Sequence, residues 1–200
     1  MHLTRNVRRS GFTLLEVTIA LVIVALIGIN ISMVMKTSTS AYESGLIQGE
    51  LEDRASLTMD RIRLALMSSS LEDLNPELSE GLHSSHIRYC VSLGLDEEGE
   101  LVLADPEQIA LEDAAGQVVW KQNLDLENER SVVWTKDVPE LFRDELLNGI
   151  DDNGNGLLDE KGLFFAQSGK NVEVELTLER TDSKGQSVLE DRKLTVTCRN

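Results

Sequence analysis

The sequence predicts an α+β fold: one long N-terminal helix, its first half transmembrane, its second half packed on an antiparallel β-sheet. Three patterns predict it. Residues 12–35 form an apolar run broken only by small or singly polar positions (Thr13, Glu16, Thr18, Asn30, Ser32). Residues 41–70 repeat apolar side chains at helical spacing and contain no proline. From residue 86 onward, β-branched and aromatic residues gather in short runs, and two alternating segments close the chain.

The first eleven residues hold Arg5, Arg8 and Arg9, no acid, and end in Gly11. The apolar run behind them, as a helix at about 1.5 Å per residue, is roughly 36 Å long and covers a hydrocarbon core of about 30 Å. Positive-inside bias keeps the basic leader in the cytoplasm and sends the remainder across. No small-residue A-x-A site follows the run, which argues against an ordinary secretory signal.

Glu16 is the anomaly, because a carboxylate within a span costs about 2.5–3.5 kcal/mol. It lies roughly 6 Å of helix beyond Phe12. A cut after Gly11 gives Phe12 a free amine, positive near neutral pH. That amine and Glu16 can neutralise each other, within one chain or between neighbours. The plainer alternative is a polar residue snorkelling to the interface.

Gly11, Phe12, Thr13, Leu14, Leu15, Glu16 and Val17, behind a basic leader and ahead of an apolar helix, resemble the type IV prepilin signal. The resemblance implies cleavage after Gly11 by a prepilin peptidase, N-methylation of Phe12, and pairing of Glu16 with the Phe12 amine of an adjacent subunit during assembly. The span lacks the late helix-kinking proline of many major pilins, which leans towards a minor pilin or pseudopilin. Residues 59–66 and the closing Arg199-Asn200 resemble the J-type pseudopilins of type II secretion and the related W-type minor pilins. The implied partners are other pilins or pseudopilins, the inner-membrane assembly platform and membrane lipid.

The organisation follows: a leader over 1–11, an assembly helix over 12–35, an amphipathic continuation over 36–70, and an acidic β-rich domain over 71–200, periplasmic or extracellular. In the continuation, Ile47, Leu51, Ala55, Thr58, Ile62 and Leu66 recur every three or four residues and draw one stripe for the sheet. Ser68, Ser69 and Ser70 end the pattern, and Asn75-Pro76 bars a further helix. A helix from Phe12 to about Met67 approaches 80 Å.

Strands are predicted at 86–93, 100–103, 117–121 and 131–136, with a short helix at 139–147 opened by Pro139. Val172, Val174, Leu176 and Leu178 alternate with Glu173, Glu175, Thr177 and Glu179, a half-buried strand with an acidic outer face. Residues 181–185 turn, and Leu194, Val196 and Cys198 alternate in the return strand. Cys90 and Cys198 are either one disulfide, suited to a compartment outside the cytoplasm, or two buried thiols. His83 and His86 have an H-x-x-H spacing, but without further ligands they read as ordinary polar residues.

The net charge of −16, from 35 acidic and 19 basic residues, repels phosphate backbones and argues against nucleic-acid binding. It suits divalent cations. In residues 148–160 (NGIDDNGNGLLDE), Asp151, Asn153 and Asn155 sit at alternate positions, with Gly154 and Gly156 for the sharp backbone. Calcium takes six to eight oxygens at about 2.3–2.6 Å, and alternate residues in a tight loop converge on one point.

The stretch has the opening of an EF-hand loop without its closing Glu. It resembles a shortened extracellular calcium loop, with Asp151, Asn153, Asn155, the Leu157 carbonyl and Asp159 as implied ligands and Glu160 as an alternative. Two asparagines lower the site charge, so the expected affinity is about 10⁻⁴–10⁻³ M and the role structural. The competing reading is a solvated Asn-Gly turn.

No G-x-S-x-G, no Cys–His pairing in a recognisable context and no phosphate-binding Gly-rich loop is present, which disfavours an enzyme. Two functions remain: a structural subunit of a type IV pilus or secretion pseudopilus, and a membrane-anchored calcium-dependent binding module.

Overall fold

The structure, a computed structural model, describes residues 12–78, 81–124 and 126–198. The chain divides into two compact units, Met1–Glu43 and Ser44–Asn200. One helix, α1 (Leu14–Met67), belongs to both.

In the first unit, the side chains of residues 12–39 are exposed all round. Four of its polar side chains bond back to the helix itself. Thr18 Oγ1 donates to the Leu15 carbonyl at 2.9 Å and Asn30 Nδ2 to the Leu26 carbonyl at 2.8 Å. Thr37 and Thr39 bond back to Met33 and Met35 in the same way. An apolar surface whose backbone and polar side chains bond within the helix suits a bilayer, and these four side chains do so. By length and composition this helix can cross a membrane.

In the second unit, α1 buries Leu51, Ala55, Thr58, Met59, Ile62 and Leu66, and Ile47 packs beside them. This is the predicted stripe, widened by Met59. The helix stops where the serines begin: the Ser68 and Ser69 hydroxyls donate to the Ala65 and Leu66 carbonyls at 2.7 and 3.0 Å, occupying acceptors of the last turn.

The strands are β1 (His83–Ser84), β2 (His86–Tyr89), β3 (Ser92–Leu95), β4 (Leu101–Leu103), β5 (Glu107–Glu112), β6 (Gln117–Gln122), β7 (Arg130–Thr135), β8 (Leu163–Ser168), β9 (Asn171–Thr181) and β10 (Ser187–Thr197). They form two four-stranded antiparallel sheets, in the orders β1-β8-β9-β10 and β2-β5-β6-β7, and a β3–β4 hairpin. One core joins both large sheets to α1. Ile87, Tyr89, Ile109, Leu111 and Val118 enter from one sheet, and Leu163, Phe165, Val172, Val174, Leu176, Leu178 and Val196 from the other. Each such side chain contributes about 1.5–3 kcal/mol on full burial.

The predicted C-terminal hairpin is present, with β9 and β10 paired from Ser187 opposite Thr181 to Thr197 opposite Asn171. Other boundaries differ. The predicted strand over 86–93 breaks at Cys90 and Val91 into β2 and β3. The predicted helix over 139–147 does not form; a β-bridge between Leu141 and Lys161 and irregular turns take its place. Proline opens loops as readily as helices, and here the segment makes one turn of its own, Glu145 N–H to the Phe142 carbonyl, while Phe142 N–H bonds the distant Glu160 carbonyl.

β5 and β8 escaped the sequence reading. In β8, Leu163, Phe164, Phe165 and Ala166 are all buried, so no alternation marks it. The acidic outer face predicted for β9 is in fact partly covered, because Thr177 is fully buried there.

Candidate functional site

At the N-terminal end, α1 opens with a reciprocal cap. The Thr13 N–H donates to Glu16 Oε2 at 2.9 Å, and the Glu16 N–H donates to Thr13 Oγ1 at 3.3 Å. The Thr13 hydroxyl donates to the same carboxylate oxygen at 3.0 Å. Thr-x-x-Glu is a capping box, with Thr13 at the cap and Glu16 at the third helical position. Glu16 thus satisfies a backbone donor that the first turn leaves open. The sequence held this signal, but the apolar run drew the reading to the charge alone. Phe12 is exposed directly before the cap. Gly11, the predicted cleavage position, lies outside the described residues, as do the leader arginines and Arg199-Asn200.

The acidic loop is built on the outer face of the β8–β9 pair. Its base is closed by the Leu141–Lys161 bridge and by the Phe142 N–H donating to the Glu160 carbonyl at 2.7 Å. Phe142 packs edge-on against Phe164, 5.3 Å between ring centroids, and Phe164 meets His83 at 6.0 Å. Because α1 occupies the opposite face, Phe164 anchors a second, smaller apolar cluster under the loop. His83 Nε2 bonds the Leu158 carbonyl at 2.9 Å. Burial lowers the His83 pKa, which leaves a neutral ring whose Nε2–H donates. His86 instead bonds Ser84, so the two histidines do not act together.

Inside the loop, Asp151 organises the backbone. Its Oδ1 accepts from the Gly154 and Asn155 N–H groups at 2.5 and 3.1 Å, and its Oδ2 accepts from Gly156 at 2.8 Å. Asn153 and Asn155 each accept from the N–H two residues on, at 3.0 and 2.8 Å. Gly154 and Gly156 have φ of 77° and 90°, where a side chain is strained. Asp159 turns the other way and accepts from the Asn148 and Gly149 N–H groups at 2.8 and 2.9 Å. The Leu157 N–H is held by Asn155, and the Leu157 side chain is half-buried.

The structure therefore brings Asp151, Asn153, Asn155, Leu157 and Glu160 into one loop and gives Asp159 to its neck. Among the described residues, no three His, Cys, Asp or Glu side chains gather closely enough to hold a metal by themselves. An ion here would draw on amide and carbonyl oxygens as well.

Two acids carry the loop's electrostatics. Glu160 is fully buried, its Oε1 2.5 Å from Asn155 Nδ2. Glu145, overlooked in the sequence, is 5% exposed and accepts from the Asn153 N–H at 3.1 Å. Desolvation raises the Glu145 pKa, and the nearby Glu160 charge adds to the rise. The Glu175 carboxyl on β9 is raised for the same two reasons in the same order.

Cys90 and Cys198 are both free, the first half-buried after β2 and the second buried after β10; the disulfide is not formed here. Burial raises both thiol pKa values, which keeps them protonated and unreactive.

No curated protein and no solved structure matches the chain. One family description does: residues 6–29 match the prokaryotic N-terminal methylation motif, and from Leu14 onward those residues are the apolar start of α1. The chain carries the type IV prepilin signature.

Proposed function

We propose that this protein is a structural, non-enzymatic subunit of a type IV pilus or a type II secretion pseudopilus, a minor pilin or pseudopilin. Prepilin peptidase cuts after Gly11, and Phe12 becomes the methylated N-terminus. The apolar half of α1 waits in the inner membrane as a single span, with the acidic unit on the far side. Assembly extracts that helix into a bundle of related helices through the inner-membrane platform, and Glu16 sets register against the Phe12 amine of a neighbour. The observation that carries this reading is the methylation motif over residues 6–29, continuous with an exposed apolar helix.

The capping box gives Glu16 a role within a single chain, which favours the second reading, a membrane-anchored calcium-dependent binding module. Two substitutions separate the readings. Glu16→Gln keeps an acceptor for the cap and removes the charge, whereas Glu16→Ala removes both. The expected result is intact membrane insertion for both variants and loss of filament incorporation for both. Incorporation of Glu16→Gln at the wild-type level overturns the pairing role. An N-terminus still at Met1 in cells with active prepilin peptidase overturns the filament reading itself and leaves the anchor.

A further inference from the structure

Glu145 and Glu160 are buried in the segment between β7 and β8, and each has one oxygen bonded and one not. Glu145 Oε1 takes the Asn153 N–H, and Glu160 Oε1 takes Asn155 Nδ2. Oε2 of both is buried with no partner, and so is Asn153 Nδ2. The neighbouring basic side chains are engaged elsewhere: Arg143 on Asp144 and Asp191, Lys161 on Asp113 and Glu140.

An unpaired buried carboxylate is costly, and two within each other's field cost more. The partners that both carboxylates do have, Asn153 and Asn155, are the alternate-position residues of the loop. The orphan oxygens are thus tied, through Asn153 and Asn155, to the turn that carries the loop oxygens. Oxygen donors of mixed type, two of them anionic, suit calcium better than magnesium, which demands near-ideal octahedral geometry and retains its water.

We propose that Glu145 and Glu160 are the anionic ligands of a calcium-class divalent cation, completed by oxygens of the Asp151–Leu157 turn. Asp159 stands at the neck of the loop, accepting from the Asn148 and Gly149 N–H groups, and is not one of this anionic pair. The ion pins the segment from Leu141 to Lys161 onto the outer face of the sheet. Glu145 comes from outside the 148–160 motif and links the irregular stretch before the loop to the loop itself. The proposal is independent of filament assembly.

The test uses the full chain in detergent, stripped with EGTA and titrated calorimetrically with calcium chloride, with thermal melts in calcium and in EGTA. The expected result is one ion per chain and a higher melting temperature in calcium. Glu145→Gln and Glu160→Gln should each weaken calcium binding at least tenfold. Their metal-free forms should melt no lower than metal-free wild type, because each loses a repulsive charge. Asp96→Asn, in the β3–β4 turn, should bind as wild type does.

Absence of heat and of a melting shift in the wild-type chain overturns the proposal. So does calcium binding that survives both substitutions. So do metal-free variants that melt well below metal-free wild type, since the carboxylates are then hydrogen-bonding struts rather than ligands.

Discussion

Gly162→Ala tests how the loop segment is seated. A Cβ at Gly162 would stand 2.4 Å from the Pro139 carbonyl oxygen, 2.8 Å from Val138 Cγ1 and 3.2 Å from Pro139 Cδ. The closest of these is backbone, so no side-chain rotation relieves it. Reaching ordinary contact requires the Val138–Pro139 chain to withdraw by about 1 Å. Overpacking of this kind costs about 1–3 kcal/mol. Withdrawal also strains the bond from the Val138 N–H to the Gly116 carbonyl, now 3.1 Å, worth about 1 kcal/mol.

The sum is about 2–4 kcal/mol, which for a domain of this size lowers the melting temperature by about 4–16 °C. The assay is a circular-dichroism melt of the full chain in detergent. Gly49→Ala is the control of opposite sign: the site is open and helical, so alanine gains about 0.8–1.0 kcal/mol of helix propensity and the melt should rise. A Gly162→Ala protein that melts within 2 °C of wild type, roughly the shift expected from a single kilocalorie, would falsify the close approach of the two backbones.

Leu176→Ala, in the fully buried face of β9, should cost about 2–5 kcal/mol by chemical denaturation; a loss below about 1 kcal/mol would place that face outside the core. Asp182 makes a pH prediction. N–H donors from Gln186 and then Lys184, followed by the Ser44 hydroxyl, hold its pKa below the usual carboxylate value. A depressed folded pKa stabilises above the unfolded value near 3.9 and is lost as pH falls through the folded one. Asp182→Asn should therefore melt below wild type at pH 7, and the two should converge on acidification towards pH 2. A gap that persists at low pH rules out the carboxylate charge as its source.

The legible parts of this chain were those with one covered face. The stripe from Ile47 to Leu66 and the alternation from Val172 to Leu178 each put apolar residues on one side only, and periodicity reports that directly. β8 was illegible because Leu163 and Phe165 face α1 while Phe164 faces the loop cluster, so burial on both sides erases the pattern. The stretch from Pro139 to Leu147 was misread for a related reason. The Phe142 N–H finds its partner across the chain at Glu160, and no local pattern announces a partner that distant.

Glu145 was missed because the loop motif begins three residues later, and an isolated glutamate gives no sign of its burial. At the N-terminus, Thr13 and Glu16 interrupt an apolar run and belong to the prepilin-like signal. Their three-residue spacing is what makes them a cap.

The chain's two tryptophans both lie in the β2-β5-β6-β7 sheet. Trp120 and Trp134 stack at 6.1 Å, and the Arg61 guanidinium of α1 sits 5.8 Å from the Trp134 ring centre. Trp120 Nε1 donates to Glu107 and to the Tyr89 hydroxyl. The intrinsic fluorescence of this protein is therefore an optical gauge of one contact, the seating of α1 on that sheet. No tryptophan lies between Leu141 and Lys161, where one would have to be introduced for light to report directly on the loop.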